Sequence, residues 1–247
     1  MDIVDLSEFY ASRLGIVTRR ALSARLKPML TGLGGAKVAG LGYAVPFLAD
    51  CVTDAEAEFA FMLARQGVFG WPDGAAVRSA LVDECELPLL ESAIDVALIV
   101  HGLEFSDAPA EMLKEIWRVL APQGRLILVV PNRRGVWARF DSSPFGHGQP
   151  FSRPQIASLL RESRFSITSW SHALYFPPSR RTAVLSAARF LETSGATLMP
   201  AVSGVLIVEA VKQVYATTSG KRVRRNVLRG RPALLPLPSR FDGPSDP

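Results

Sequence analysis

The stretch VAGLGYAVPFL, Val38–Leu48, places two glycines between an apolar run and a proline. The apolar run that ends at Gly40 predicts a buried β-strand, and Pro46 suits the first turn of the next helix because its missing N–H would have no partner there. Glycines in such a turn let backbone approach a ligand and direct the helix N-terminus at negative charge. An economical turn without a ligand explains the spacing Gly40-x-Gly42-x-Ala44 as well.

Strand-like and helix-like segments alternate along the rest of the chain. Strands are predicted at 37–40, 59–63, 80–82, 96–101, 125–130, 165–174 and 205–211. Helices are predicted at 4–30, from 46, and at 108–120, 153–164 and 182–192. This alternation predicts an α/β fold with a parallel sheet. We divide the chain into an N-terminal helical lead (1–34), an α/β domain (35–214) and a C-terminal tail (215–247).

Composition limits the class of protein. Of the 247 residues, 48% are apolar and 21% are charged, which is typical of a soluble globular protein. No run reaches the roughly 18 uninterrupted apolar residues that a membrane-spanning helix needs. The acidic start, MDIVDLSE, lacks the features of a secretory signal, so we expect a cytoplasmic protein. Because Cys51 and Cys85 are not spaced as a CxxC pair and there are three histidines, no metal site is predicted.

Positive charge is concentrated near the C-terminus. From Lys212 onward the chain has eight Lys or Arg and two Asp, a net charge of +6, whereas the whole chain carries +5. The tail at 215–247 is rich in Arg, Pro, Gly and Ser and has little apolar periodicity, which predicts disorder. Such a tail could bind nucleic acid or an anionic membrane surface, but its composition favours a solvated tail without a specific partner.

Three blocks downstream of the glycine-rich turn carry a family resemblance. They are VDECELP (82–88), IDVALIVHGLEFSDAP (94–109) and LKEIWRVLAPQGRLILVVPN (113–132). In this order and spacing they resemble the class I S-adenosylmethionine-dependent methyltransferases, in particular the small-molecule subgroup called methyltransferase type 11. The matching residues are Asp83, Leu87, Pro88, Asp95, His101, Leu103, Glu104, Arg118, Val119, Leu120, Pro122 and Gly124.

The resemblance implies a Rossmann-like sheet of seven strands, mostly parallel with an antiparallel last strand, and helices on both faces. It also implies that S-adenosylmethionine lies across the carboxyl ends of the first strands. The residues implied to contact it are Gly40, Gly42, Ala44, Asp83, Glu84, His101 and Glu104. Asp83 would lie near the adenine with Glu84 beside it, although a solvated strand end explains these two acids equally well.

The cofactor motifs depart from the family pattern at two positions. The family usually has an acid two residues before the first loop glycine, where this chain has Val38, and another at the end of the second strand, where FMLARQG offers none. Each missing charge-assisted hydrogen bond is worth about 1.5–3 kcal/mol, so cofactor binding weakens by orders of magnitude unless backbone groups, Arg65 or Gln66 compensate. The alternative to an active enzyme is therefore a degenerate member with a binding or regulatory role.

The segment PNRRGVWARFDSSPFGHGQPFS (131–152) follows the fifth predicted strand, where this fold carries substrate-facing loops. Methyl transfer requires alignment of the acceptor and exclusion of water, and a base only when the acceptor must lose a proton. His147 is the candidate base and Asp141 its candidate orienting partner, and the alternative is a lid with a surface histidine. The loop's arginines and Trp137 would suit an anionic or aromatic small molecule.

We therefore predict transfer of a methyl group from S-adenosylmethionine to a small molecule. Tyr10, Arg13 and Arg19, on the N-terminal helical pattern, could cover the cleft, although helix packing explains them as well. The basic tail prompts a third interpretation, methylation of RNA or DNA. Against it, the body of the chain is near neutral and lacks a base-modifying motif of the Asn-Pro-Pro-Tyr type.

Overall fold

The structure is a computed structural model that describes residues 1–72, 74, 76–198 and 202–213. The predicted tail at 215–247, and any nucleic-acid binding that depends on it, lie outside the described residues. The strands are β1 (Lys37–Gly42), β2 (Ala57–Leu63), β3 (Ser79–Val82), β4 (Ile94–Val100), β5 (Leu120–Pro131), β6 (Phe165–Ala173) and β7 (Val205–Lys212). The α-helices are α1 (Ile3–Ala11), α2 (Arg13–Leu26), α3 (Val45–Cys51), α4 (Pro109–Val119), α5 (Arg153–Glu162) and α6 (Thr182–Leu198).

The strands form one mixed sheet in the order β3-β2-β1-β4-β5-β7-β6. Strands β1 to β5 are parallel, whereas β7 runs antiparallel to both of its neighbours, β5 and β6. The predicted seven-stranded sheet, mostly parallel with an antiparallel last strand, is confirmed. Strand β1 lies where the strand order reverses, between β2 and β4. In open α/β sheets, ligands bind outside the carboxyl ends of the strands around this reversal.

Helices cover both faces of the sheet, as predicted. The core of one face includes residues of α1, α2, α3 and α6, and the core of the other includes residues of α4 and α5. Strand β4, IDVALIV, is buried along almost its whole length. Leu98 and Val100 join the first core, and Ala97 and Ile99 join the second. Burial on both faces explains why this strand is a continuous apolar run rather than an alternating one.

The helical pattern predicted across residues 4–30 forms two α-helices rather than one. Ser12 separates them, and its Oγ caps α2 by accepting a hydrogen bond from the Gly15 N–H at 3.0 Å. A Cβ at Gly15 would lie 1.8 Å from the Phe9 carbonyl oxygen, so glycine is needed where the two helices meet. Apolar residues of both helices, including Leu6 and Leu22, join one core. The periodicity therefore continues across the break and conceals it.

Lys212, which we counted with the basic tail, is instead the last residue of β7 and is buried. Its Nζ donates a hydrogen bond to the Leu120 carbonyl oxygen at 2.6 Å and lies 4.2 Å from the ring centroid of Trp117. One of the charges assigned to the tail therefore belongs to the sheet. None of the described helices is long and apolar enough to cross a membrane.

Candidate functional site

The glycine-rich turn joins β1 to α3 and packs tightly against the end of β4. Gly42 has a φ of +71°, and a Cβ there would lie 2.4 Å from the carbonyl oxygen of Val100. A Cβ at Gly40 would lie 2.7 Å from the Cβ of Ala44 and 2.8 Å from Cδ1 of Leu48. Both glycines therefore have a structural reason to be glycine, whether or not a ligand is bound.

Directly beyond β4, the His101 side chain is held in a buried hydrogen-bonded chain. Its Nε2 lies 2.8 Å from the hydroxyl oxygen of Tyr10, and its Nδ1 lies 3.1 Å from Oε1 of Glu104. Its backbone has a φ of +51°, and its carbonyl oxygen accepts a hydrogen bond from Nε2 of Gln66 at 2.6 Å. The chain thus brings together His101 and Glu104, as the resemblance implied, and adds Tyr10 and Gln66.

Helix α1 covers this end of the sheet. The Tyr10 ring stacks on the Tyr43 ring of the glycine-rich turn, with centroids 5.4 Å apart. The first turn of α1 is also attached to the end of β2, because the Ile3 N–H donates to the carbonyl oxygen of Gln66 at 2.7 Å. Burial, and next the Glu104 carboxylate, raise the pKa of Tyr10 well above its usual value. Tyr10 belongs to the core that α1 and α2 share, so it packs helix α1 against this end of the sheet, which is one of the two roles that the sequence left open for it.

Two buried oxygen atoms in this cluster have no hydrogen-bond partner among the described residues. They are Oε1 of Gln66 and Oε2 of Glu104, whose side chains both bond to His101 through their other polar atom. An unpaired buried acceptor costs about 1–3 kcal/mol. A ligand with hydroxyl or ammonium donors would satisfy both atoms, and the ribose and methionine parts of S-adenosylmethionine have such donors. The two acceptors therefore suit the donor groups of this cofactor.

Strand β1 and the end of β2 lack the carboxylates that the family pattern leads one to expect. Val38 is fully buried in the core, and β2 ends in the buried pair Met62 and Leu63. The exposed Arg65 forms an ion pair with Asp107. Gln66, which the sequence suggested only as one compensating residue, is 3% exposed and is the polar side chain that enters the cluster from this strand.

The two acids that follow β3 have different surroundings. Asp83 is exposed, and its Oδ1 accepts a hydrogen bond from the Cys85 N–H at 2.8 Å. Glu84 is 8% exposed, and its Oε1 accepts one from the Ser106 hydroxyl at 3.2 Å. Asp83 thus remains accessible at the strand end where an adenine would lie, whereas Glu84 attaches the segment after β4 to the end of β3.

The loop at 131–152 separates into a buried part and an exposed part. Trp137 is fully buried and donates from Nε1 to the carbonyl oxygen of Phe176 at 2.6 Å, so it offers no surface to an aromatic substrate. Phe145 packs against His101 with ring centroids 4.7 Å apart. The loop thereby closes a further side of the His101 cluster.

The candidate base and its candidate partner lie together in the exposed part of the same loop. Nε2 of His147 is 2.9 Å from the backbone carbonyl oxygen of Asp141, not from its carboxylate. Both residues line a cavity of about 480 Å³ on the outer side of α1, together with Glu8 of that helix. The predicted pair is therefore in contact, but it does not join the His101 cluster.

Comparison with known proteins gives a consistent classification. A family model for the methyltransferase domain, type 11, matches residues 39–128. No curated protein matches the sequence. Solved structures share the fold: an S-adenosylmethionine-dependent methyltransferase from Thermotoga maritima aligns with a TM-score of 0.56 and 16% identity, over 85% of this chain and 96% of that one.

Two further solved structures extend the range of activities found on this fold. The [4+2]-cyclase SpnF aligns with a TM-score of 0.52 and 22% identity, over 79% of this chain and 81% of that one. Geranyl diphosphate methyltransferase in complex with S-adenosylmethionine aligns with a TM-score of 0.54 and 17% identity, over 78% and 84%. Similarity at these identities shows the fold, and the chemistry has to be argued from the site.

Proposed function

We propose that the chain transfers a methyl group from S-adenosylmethionine to a small molecule, because a family model for the methyltransferase domain matches residues 39–128 and solved methyltransferases share the fold. The observation that carries the proposal is the pair of buried, unpaired acceptors, Gln66 Oε1 and Glu104 Oε2. They lie beside the turn between β1 and α3, at the strand ends where open α/β sheets bind ligands.

The residues of the chain would bind and orient the cofactor and the methyl acceptor. S-adenosylmethionine, when bound, would supply the electrophilic methyl group. Gln66 and Glu104 would accept hydrogen bonds from the cofactor's donors in place of the absent strand-end carboxylates. Asp83, accessible after β3, is the proposed partner for the adenine amino group. His147, with Asp141 beside it, is the proposed base if the acceptor must lose a proton.

Binding requires helix α1 to move. Tyr10 is 5% exposed and lies against both His101 and the glycine-rich turn, so the cofactor and the Tyr10 side chain compete for the same space. We propose that the arrangement with Tyr10 against His101, which we call the closed form, is the resting state. The cofactor would be bound by an open form in which α1 has moved away from the strand ends. The apparent affinity for the cofactor is then the affinity of the open form multiplied by the fraction of molecules that are open.

The acceptor is proposed to be a small anionic molecule. Arg133 and Arg134 lie at the start of the loop that follows β5, and both are exposed. Geranyl diphosphate methyltransferase, which shares this fold and was solved in complex with S-adenosylmethionine, is named for a diphosphate. An aromatic acceptor loses its support, because Trp137 is buried.

A second candidate is a member of the fold that does not transfer methyl groups. The closed Tyr10–His101 contact and the missing strand-end carboxylates favour it. The cyclase SpnF illustrates that the fold also carries an activity named for a different reaction. Under this hypothesis the buried hydrogen-bonded chain is a permanent part of the core and α1 does not open.

Calorimetric titration of the full chain with S-adenosylmethionine, and separately with its demethylated product, tests the proposal. Saturable binding of either ligand in the micromolar range supports it. Absence of binding at millimolar ligand overturns it in favour of the second candidate. Adenosine alone is the matched control, because it lacks the methionine part of the cofactor with its ammonium donor and should bind more weakly.

A further inference from the structure

A second cleft lies at the same end of the sheet, beside β5, β7 and β6. Its volume is about 420 Å³, and its walls come from the turn after β5, the first turn of α5 and the end of β6. Leu206 of β7 is among its lining residues. It shares no lining residue with the cluster around Tyr10 and His101.

The charged side chains of this second cleft are all basic. Arg134 comes from the turn after β5 and Arg153 from the first turn of α5, and no Asp or Glu occurs among the described residues that line the cleft. Neither arginine forms an ion pair with any described residue. Two guanidinium groups that lack a carboxylate partner leave a positive potential in a concave surface, which favours binding of an anion.

Local contacts restrict the side chain of Arg153 and the backbone of Arg134. The Arg153 guanidinium lies over the ring of Trp170, 4.8 Å from its centroid, which holds it by a cation–π contact. The backbone N–H of Arg134 donates to Oδ1 of Asn132 at 3.1 Å, which fixes the turn that carries it. Such restriction lowers the entropy lost when a ligand is bound.

His172 is a further side chain of the cleft that can carry a hydrogen-bond donor. It lines the cleft near the end of β6, and its Nδ1 lies 3.2 Å from the hydroxyl oxygen of Ser203. Burial, and then the charges of Arg153 and Arg25, lower the pKa of His172 below its usual value. Burial and these cations both disfavour the protonated form of the imidazole, and a neutral imidazole still has one N–H that can donate a hydrogen bond.

Helix α5 adds to this potential at its N-terminus. The helix has ten residues and no acid in its first turn, and Ser152 caps it by accepting from the Gln155 N–H. The positive end of its dipole therefore reaches the cleft without a compensating carboxylate. The dipole reinforces the two arginines and is not by itself a site.

We propose that this second cleft binds the phosphate group of a small molecule between Arg134 and Arg153, with His172 as a further donor. Guanidinium groups match phosphate oxygens in bidentate geometry. Because the cleft shares no lining residue with the cluster around Tyr10 and His101, we expect phosphate to bind without a change in cofactor affinity. In an active methyltransferase it would hold a phosphorylated methyl acceptor, and in a non-methylating member it would hold a phosphorylated ligand.

The test is titration of the ¹⁵N-labelled full chain with inorganic phosphate at constant ionic strength, followed by NMR. The expected result is saturable shifts confined to the amides around Arg134, Arg153 and His172. The double variant Arg134→Gln/Arg153→Gln should weaken phosphate binding by about tenfold or more. Both side chains are exposed, so the variant should fold normally, and its melting temperature checks this.

Arg161→Gln is the matched control, because Arg161 is an exposed arginine of α5 that does not line the cleft. Equal loss in the control, or shifts spread over the surface, would overturn the proposal in favour of non-specific attraction to basic residues. Acetate that binds as tightly as phosphate would overturn the phosphate assignment. S-adenosylmethionine affinity should be the same in the double variant and the parent protein, so failure of the cofactor proposal and failure of this one remain distinguishable.

Discussion

The hydroxyl oxygen of Tyr10 lies 2.8 Å from Nε2 of His101, although the two residues are 91 positions apart in the sequence. If Nδ1 of His101 carries the proton, it donates a hydrogen bond to Oε1 of Glu104. Nε2 of His101 then accepts a hydrogen bond from the Tyr10 hydroxyl. In that tautomer every polar atom of the ring and of the phenol is satisfied. The contact therefore stabilises the closed position of α1 over the strand ends.

Replacing Tyr10 with phenylalanine should strengthen cofactor binding. The variant keeps the stacked ring over Tyr43 but removes the hydrogen bond to His101, which contributes about 0.5–1.5 kcal/mol to the closed form. We expect the dissociation constant for S-adenosylmethionine to fall by about two- to tenfold. Calorimetric titration measures this, with Tyr175→Phe as the control because Tyr175 is a half-buried tyrosine beside α6. Weaker binding in the Tyr10→Phe variant would indicate that the hydroxyl contacts the cofactor instead.

Removing either unpaired acceptor should weaken cofactor binding. Glu104→Gln keeps an acceptor for the His101 N–H but places an amide nitrogen where Oε2 stands, and Gln66→Leu removes Oε1. Each change should raise the dissociation constant for S-adenosylmethionine by about tenfold or more, because a lost hydrogen bond leaves a cofactor donor unpaired. Gln149→Leu, at an exposed position, is the control. Unchanged affinity in both cluster variants would mean that neither acceptor contacts the cofactor.

Gly42→Ala should destabilise the protein even when no ligand is present. Its φ of +71° costs a non-glycine residue about 1–3 kcal/mol, and the new methyl group would overlap the carbonyl oxygen of Val100. Guanidinium unfolding without ligand should therefore show a loss above about 1 kcal/mol. Gly34→Ala is the control. Gly34 is not among the glycines with a positive φ, and a Cβ added there would have no heavy atom within 4 Å. Lost cofactor binding at unchanged stability would instead assign Gly42 to the ligand.

The sheet could be predicted from the sequence because its signals are local. Strand β4 is an apolar run that ends directly before His101, and the second half of β5 is an apolar run that ends at Pro131. These patterns depend on neighbours within a few residues, so they placed the strands to within a few positions. The continuous helical pattern across Ser12 misled for the same reason, since periodicity reports burial and not a change in helix direction.

The candidate site was only partly predictable, because its contacts join distant segments. His101 and Glu104 were found through their place in the resemblance. The role of Gln66 depends on a hydrogen bond to the carbonyl oxygen of His101, 35 positions away, and no local pattern encodes it. For His147 the pairing with Asp141 was expected from the residue types, yet the contact uses a backbone carbonyl oxygen, which every residue type offers.

An ion pair within helix α4 also binds backbone groups of the segment after β3. Glu115 accepts from Arg118 at 2.6 and 2.8 Å and from the Leu87 N–H at 2.8 Å, while Arg118 also donates to the Leu89 carbonyl oxygen at 2.9 Å. The hydrogen bond from Arg118, and then that from the Leu87 amide, lower the pKa of Glu115 below its usual value, and partial burial opposes them.

Glu115→Gln should therefore remove a pH-dependent part of the stability. A carboxyl whose pKa is lowered on folding contributes stability above its unfolded pKa, about 4.3–4.5, and this contribution is lost as the pH falls through the folded pKa. Urea unfolding should show the variant less stable than the parent at pH 6, with the difference shrinking as the pH falls below about 4. Glu111→Gln is the control, since Glu111 is a 58% exposed carboxylate of the same helix paired with Lys114. A difference between the Glu115 variant and the parent that is constant with pH would mean that the side chain acts through packing rather than through its charge.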